Sequence, residues 1–298
     1  MAKGTALVIT ADSDFLPPHV KKSLPHSQMR IWQGLEPLDE WSSRFFGHIR
    51  EAAELFGSND PALGTLSASG WMRHIDGWCL ENKISDITTT IQSPCSSSAG
   101  SERSSQTDLS LFKACPVEDF PYYLRSITGT QIPYFVAIFK PTRGIEAPYP
   151  IWMSYVPALT TMINLGNDLL SFPKEVLAGE TANYISLVTQ MKRDAGYKSK
   201  FANDSLWTMR DSIQELFMRL VDSIRALDDG FADLLLRDCY CRSTEHKLLS
   251  QERRSRWSKS QVQLTATLWA LFKQGYFAWH INSKRYGLDS LKSHFEGA

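Results

Sequence analysis

The sequence has no excess charge of either sign. Its 32 Lys and Arg balance 32 Asp and Glu, giving a formal net charge of +0. With no field to recruit nucleic acid or an anionic membrane surface, any anion site must be local. Cysteine is sparse and unpatterned. Cys79, Cys95, Cys115, Cys239 and Cys241 show no metal-ligand spacing, and an odd number argues against a disulfide framework, so a reducing, cytoplasmic setting is expected. The opening apolar run reaches Asp12 too soon for a secretory leader. One uncharged stretch, 147–167, is long enough to span a bilayer. It contains Pro148, Pro150, Pro157, Asn164 and Asn167 and has no second such stretch beside it, so it reads as a buried helix and no membrane role is expected. No internal repeat is visible.

What the chain does have is length and aromatic content. With 298 residues, 43% of them hydrophobic and nine of them Trp, it can bury a large aromatic-rich core, and 1–298 is read as one domain. Apolar residues recur at spacings of three and four over most of it. Met29, Ile31, Trp32 and Leu35, then Trp41, Phe45, Phe46, Ile49 and Phe56, make a helix divided at Pro37. Asn59-Asp60-Pro61 starts the next, through Trp71 and Trp78, whose spacing favours core packing over a cation-sheltering role. Residues 93–108 read as a mobile Ser-rich loop. Helices are expected again over 151–175, over 181–192, and from Asn203-Asp204-Ser205 through Leu206, Met209, Ile213, Leu216, Phe217 and Leu220 to a stop at Asp228-Asp229-Gly230. A last helix, 261–285, turns Leu264, Leu268, Trp269, Leu271, Phe272, Tyr276 and Trp279 inward.

The chemistry concentrates in Asn167-Asp168-Leu169-Leu170-Ser171-Phe172-Pro173-Lys174-Glu175. Asn167, Ser171 and Glu175 are four apart and so share one helical face. An amide carbonyl, a hydroxyl and a carboxylate are hard oxygen donors suited to Mg²⁺, and Lys174 adds a point charge for an anion. A solvated polar face would also show this spacing, but the preceding run carries no charge at all. Pro173 removes the hydrogen bond to Leu169 and is expected to bend the helix between Ser171 and Glu175.

Asn-Asp-x-x-Ser-x-x-Lys-Glu resembles the second metal motif of class I terpene synthases, and with the following Asn183-Tyr-Ile-Ser-Leu-Val188 it looks most like the fungal trichodiene-synthase-like sesquiterpene cyclases. Phe120 to Gly129 resembles the segment carrying that family's diphosphate-sensing arginine, here Arg125. Gly275 to Leu288 resembles the last cyclase helix with its Arg-Tyr pair, here Arg285 and Tyr286. The resemblance implies an all-α bundle around a central apolar cavity, a prenyl diphosphate substrate such as farnesyl diphosphate, and three Mg²⁺ ions bound with the diphosphate. Asn167, Ser171 and Glu175 would hold one ion. The aspartate-rich motif that holds the others maps weakly to Asp12, with Asp14 beside it, and Pro17 and Pro18 would end that helix. Arg125, Lys174, Arg285 and Tyr286 would bind the diphosphate, and Arg253, Arg254, Arg256 and Lys259 read as a solvated loop with a lid as the alternative.

Only about eleven residues precede Asp12, so the cavity wall is expected to be shortened or completed by another chain, as in a homodimer. Two other outcomes stand beside a cyclase. An open cavity would let an external amine or alcohol capture the allylic cation, and a degraded aspartate-rich motif would suit a non-catalytic relative serving as a binding or scaffold partner.

Overall fold

The computed structural model describes residues 16–92, 120–180, 183–201, 205–243 and 257–288. Asp12, Asp14, the Ser-rich segment 93–108 and Arg253, Arg254 and Arg256 lie outside them. Among the described residues the regular elements are helical, and extended pairing is confined to two single bridges, Thr142 with Ile145 and Lys198 with Leu206. The fold is all-α, as the spacing and the resemblance led one to expect.

Helix α1 spans Pro18–Trp32 and α2 spans Glu40–Gly57. Pro17 and Pro18 begin this helix, and the stretch they are expected to end lies outside the described residues: Pro17 is the N-cap and Pro18 sits in the first turn, where a missing N–H leaves no bond unmade. The break before α2 contains Pro37, as expected, and is closed by Asp39. Its carboxylate accepts the Ser42 N–H at 2.7 Å as a helix cap and the Ser23 hydroxyl of α1 at 2.7 Å. Helix α3, Pro61–Gln92, begins with Asp60 accepting the Ala62 N–H at 2.9 Å. Val20 and Leu24, Phe45, Phe46 and Ile49, and Trp71, Ile75 and Trp78 form one cluster between these three helices, so both tryptophans are core packing. Met29, Trp32 and Leu35 fit the apolar spacing but are exposed, Trp32 by 78%.

The remaining helices are α4, Phe120–Thr128; α5, Gln131–Phe139; α6, Tyr149–Trp152, joined through a 3-10 turn to α7, Val156–Leu177; α8, Tyr184–Asp194; α9, Met209–Ser243; and α10, Lys259–Asn282, followed by the 3-10 turn Lys284–Tyr286. The expected helix over 151–175 is therefore two pieces. A second, larger cluster fills the space between them with Phe135 and Phe139 of α5, Leu159, Met162 and Ile163 of α7, Leu216, Leu227 and Phe231 of α9, and Trp269 of α10. Each such side chain contributes about 1.5–3 kcal/mol by leaving water.

Helix α9 does not stop at Asp228-Asp229-Gly230. Gly230 has no side chain, so the Tyr155 ring lies against it: a Cβ there would come within 3.0 Å of Tyr155 Cζ, and the Tyr155 hydroxyl donates to the Gly230 carbonyl at 3.1 Å. Asp228, though partly exposed, is also paired across helices. It accepts from Trp269 Nε1 at 2.8 Å and Lys273 Nζ at 2.7 Å, tying α9 to α10. At its other end α9 begins at Met209 rather than at 203–205, and Asp211 accepts the N–H groups of Lys200 and Thr208 at 2.7 and 2.9 Å. Leu206 and Phe217 of the expected stripe are exposed, as are Leu271 and Trp279 of α10. Ser258 and Gln261 close a capping box at the start of α10.

Candidate active site

On α7, residues 164, 167, 168, 171 and 175 fall on one side of the helix. Pro173 gives up its N–H, yet α7 continues to Leu177 with the proline exposed. The Ser171 hydroxyl donates to the Asp168 carbonyl at 3.5 Å and stays near enough to Glu175 to affect its carboxyl, so the third oxygen donor keeps its place near the second. Burial pushes the Glu175 carboxyl above the usual range, the nearby Ser171 hydroxyl opposes this, and the nearby Asp168 charge adds to it; Lys174 and Arg125 pull the other way. A half-buried carboxyl whose pKa is raised by burial gains from a cation placed beside it.

Arg125 reaches this face from α4. Its Nε is 2.8 Å from Asp168 Oδ1, and its NH2 donates to Asn167 Oδ1 at 3.2 Å. The side chains of Arg125 and Asp168 are only 16% and 10% exposed. Burial raises the Asp168 carboxyl pKa and the guanidinium opposes that. The close approach of α4 depends on Gly77 of α3, where a Cβ would come within 2.7 Å of the Thr128 amide nitrogen.

The third side comes from the end of α10. His280 Nδ1 lies 2.8 Å from the Tyr276 carbonyl oxygen, which can only accept, so Nδ1 carries the proton. Burial depresses the ring's pKa to about 4, and the Arg285 charge adds to this. His280 is therefore neutral at pH 7 and its Nε2 is an acceptor, 3.5 Å from Asn167 Nδ2. Asn167 Nδ2 also donates to the Tyr286 hydroxyl at 3.4 Å. With both acceptors on its nitrogen side, the Asn167 amide must aim its oxygen at Arg125. Tyr276, whose hydroxyl donates to the Ile163 carbonyl at 2.7 Å, packs against His280, and Gly166 lets its ring approach α7.

At the α4–α5 break, Gly129 occupies a position where a Cβ would come within 2.6 Å of Asn164 Oδ1. Asn164 Oδ1, Gln131 Oε1 and Thr128 Oγ1 are buried there with no hydrogen-bond partner among the described residues. Gln131 Nε2 donates to Ser126 O at 2.9 Å, which fixes the orientation of that amide. A half-turn of the Asn164 amide or a positive charge nearby would satisfy these oxygens.

Three separate sequence motifs thus meet: Arg125, Asn167 and Tyr286 share hydrogen bonds, and Ser171 and Glu175 continue the same face. Lys174 follows on the last turn of α7, and Arg285 lies in the closing 3-10 turn within electrostatic reach of His280. Arg125, expected to grip a diphosphate, is held here by a carboxylate and an amide. Asp168 and His280 were given no role by the sequence reading. Asp168 stood inside the quoted motif, and His280 lies one helical turn beyond Tyr276, on the same side.

Among the described residues no three His, Cys, Asp or Glu side chains converge. The donors fit Mg²⁺ in kind, being hard oxygens on one face, and Asn167 Oδ1 would have to be released by Arg125. A cavity of about 360 Å³ opens between α4, α8 and α9, with Tyr122, Tyr184, Lys192, Glu215 and Arg219 among its walls, so it is not the apolar cavity expected at the centre. The centre carries Trp269, Phe272 and Tyr276.

No family model matches the chain. Over 69 residues, 22% of the chain and 21% of the relative, it is 46% identical to an (E)-beta farnesene synthase of Metarhizium brunneum. The chain has fungal terpene synthase relatives. It is 42% identical over 67 residues to terpene synthase BipA of Cochliobolus sativus, covering 22% of this chain and 20% of that one. Terpene synthase 29 of Postia placenta is 26% identical over 172 residues, 58% of this chain and 38% of that protein. The matched stretches span between about a fifth and two fifths of the length of these relatives. No helix among the described residues is long and apolar enough to cross a membrane.

Proposed function

We propose that the chain is a terpene cyclase of the trichodiene-synthase-like kind, ionising a prenyl diphosphate, farnesyl diphosphate by resemblance, and guiding the allylic cation to a cyclic sesquiterpene. The observation that supports it best is the junction of Arg125, Asn167 and Tyr286, drawn from three distant motifs onto one polar site beside an aromatic interior. Asn167, Ser171 and Glu175 would hold one Mg²⁺, with Asp12 assigned to the others by resemblance. Bound Mg²⁺ would supply charge neutralisation for the departing diphosphate.

The chain's own residues do the rest. Arg125 can pair with Asp168 or with a diphosphate, and moving to the diphosphate frees Asp168 and the Asn167 oxygen in the same event. Tyr286, Arg285 and Lys174 add a phenol donor and two cations. The allylic C–O bond breaks with its electron pair leaving on the diphosphate, and the cation enters an environment of Trp269, Phe272 and Tyr276 faces that excludes water. The buried oxygens at the Gly129 break are acceptors that a passing positive charge would satisfy. Diphosphate takes the terminal proton, so no side-chain base is assigned.

Calorimetric titration with inorganic diphosphate, with and without Mg²⁺, tests the reading. Binding that needs Mg²⁺ and is lost in Glu175→Ala, followed by cyclic products from farnesyl diphosphate, is the expected result. Absence of diphosphate binding in both conditions would sink it.

A further inference from the structure

The cavity between α4, α8 and α9 lies behind the site described above and has walls of its own kind. Tyr122, Tyr184 and Tyr197 supply three phenol rings, and Val188, Met191 and Ala195 supply aliphatic surface. At about 360 Å³ it lies in the range of small-molecule sites and exceeds what a bare inorganic anion fills.

Its charges are unequal in availability. Lys192 is committed: its Nζ is 2.5 Å from Glu215 and stands over the Trp207 ring at 4.4 Å, and Lys200 approaches the same carboxylate at 3.8 Å. Arg219 has no carboxylate partner among the described residues; it is exposed and lies near enough to the Tyr184 hydroxyl for its charge to pull that group's pKa down. The cavity therefore offers one guanidinium, a planar fork that matches a carboxylate, and not the cluster of cations that a multiply charged phosphate requires. Tyr184 keeps its proton, since burial pushes its hydroxyl upward against the pull of Arg219, and so can donate to the same oxygen.

We propose that this cavity is a binding site for a planar aromatic monocarboxylate, its carboxylate paired with Arg219 and the Tyr184 hydroxyl and its ring set against Tyr122 and Tyr197. Arg219, Tyr122 and Tyr184 also border a narrow space that reaches Arg125 and Asn164, so the ligand would sit directly behind the diphosphate site.

The test is titration of the full chain with benzoate, read by calorimetry and by the fluorescence of Trp207, which packs edge-on to Tyr197. Benzoate should bind, Arg219→Gln should weaken it at least tenfold, and Arg219→Lys should weaken it less. Tyr184→Phe, which keeps the ring, should weaken it severalfold and serves if the Arg219 variants do not fold by circular dichroism. Glu175→Gln should leave benzoate binding unchanged, so this result stands or falls apart from the diphosphate result. No benzoate binding at millimolar concentration, equal binding of inorganic phosphate, or full binding in Arg219→Gln would each overturn the assignment.

Discussion

Arg125 and Asp168 make the sharpest test of how the site is held together. The pair is charged, 2.8 Å apart and largely shielded from water, so removing one partner leaves a buried ion with only weaker company. For Arg125 that company is the Asn167 carbonyl and the more distant attraction of Glu81. Breaking such a pair costs about 3–5 kcal/mol, whereas replacing both partners by apolar groups of similar volume is often neutral or better. Arg125→Met and Asp168→Leu should therefore each lower stability by about 3–5 kcal/mol, and the double variant should lose less than either. Urea unfolding at constant slope reads all four corners of the cycle. Single-variant losses that add within about 0.5 kcal/mol would mean the two groups are energetically independent, and the account of Arg125 as a residue that exchanges partners would fail.

His280 gives a pH dependence with a defined sign. Its folded pKa is about 4 against an ordinary 6.5, so between those values the unfolded chain binds the extra proton. Stability from this group is complete above pH 6.5 and falls by about 3 kcal/mol as the pH drops toward 4; urea midpoints across that window should slope more steeply in the parent chain than in His280→Gln. Gly77→Ala should lower stability by about 1–3 kcal/mol and weaken diphosphate binding, because the new methyl meets Thr128 backbone that cannot yield, on the helix that carries Arg125. Gly47→Ala, mid-helix in α2 with nothing within 4 Å of the new carbon, should raise stability in urea unfolding by about 0.5–1 kcal/mol.

Helical spacing and the Asn167–Glu175 motif determined much by themselves. An all-α fold, a break at Pro37, and three oxygen donors on one face of α7 follow from local periodicity and from residues whose backbone limits are intrinsic. Residues whose fate depends on a partner far along the chain were not legible. Asp228-Asp229-Gly230 has the composition of a helix stop, and only the Tyr155 ring on Gly230 and the Trp269 and Lys273 donors on Asp228 let α9 run through it. Trp32 and Trp71 carry the same side chain at helical spacing, yet only Trp71 meets a neighbouring helix. The site divides the same way. Spacing picked out Asn167 and the family resemblance named Arg125 and Tyr286, while the tertiary structure decided that Asp168 occupies Arg125 and that a neutral His280 orients the Asn167 amide, because hydrogen bonds and buried charge pairs are made across space and leave no period in the sequence.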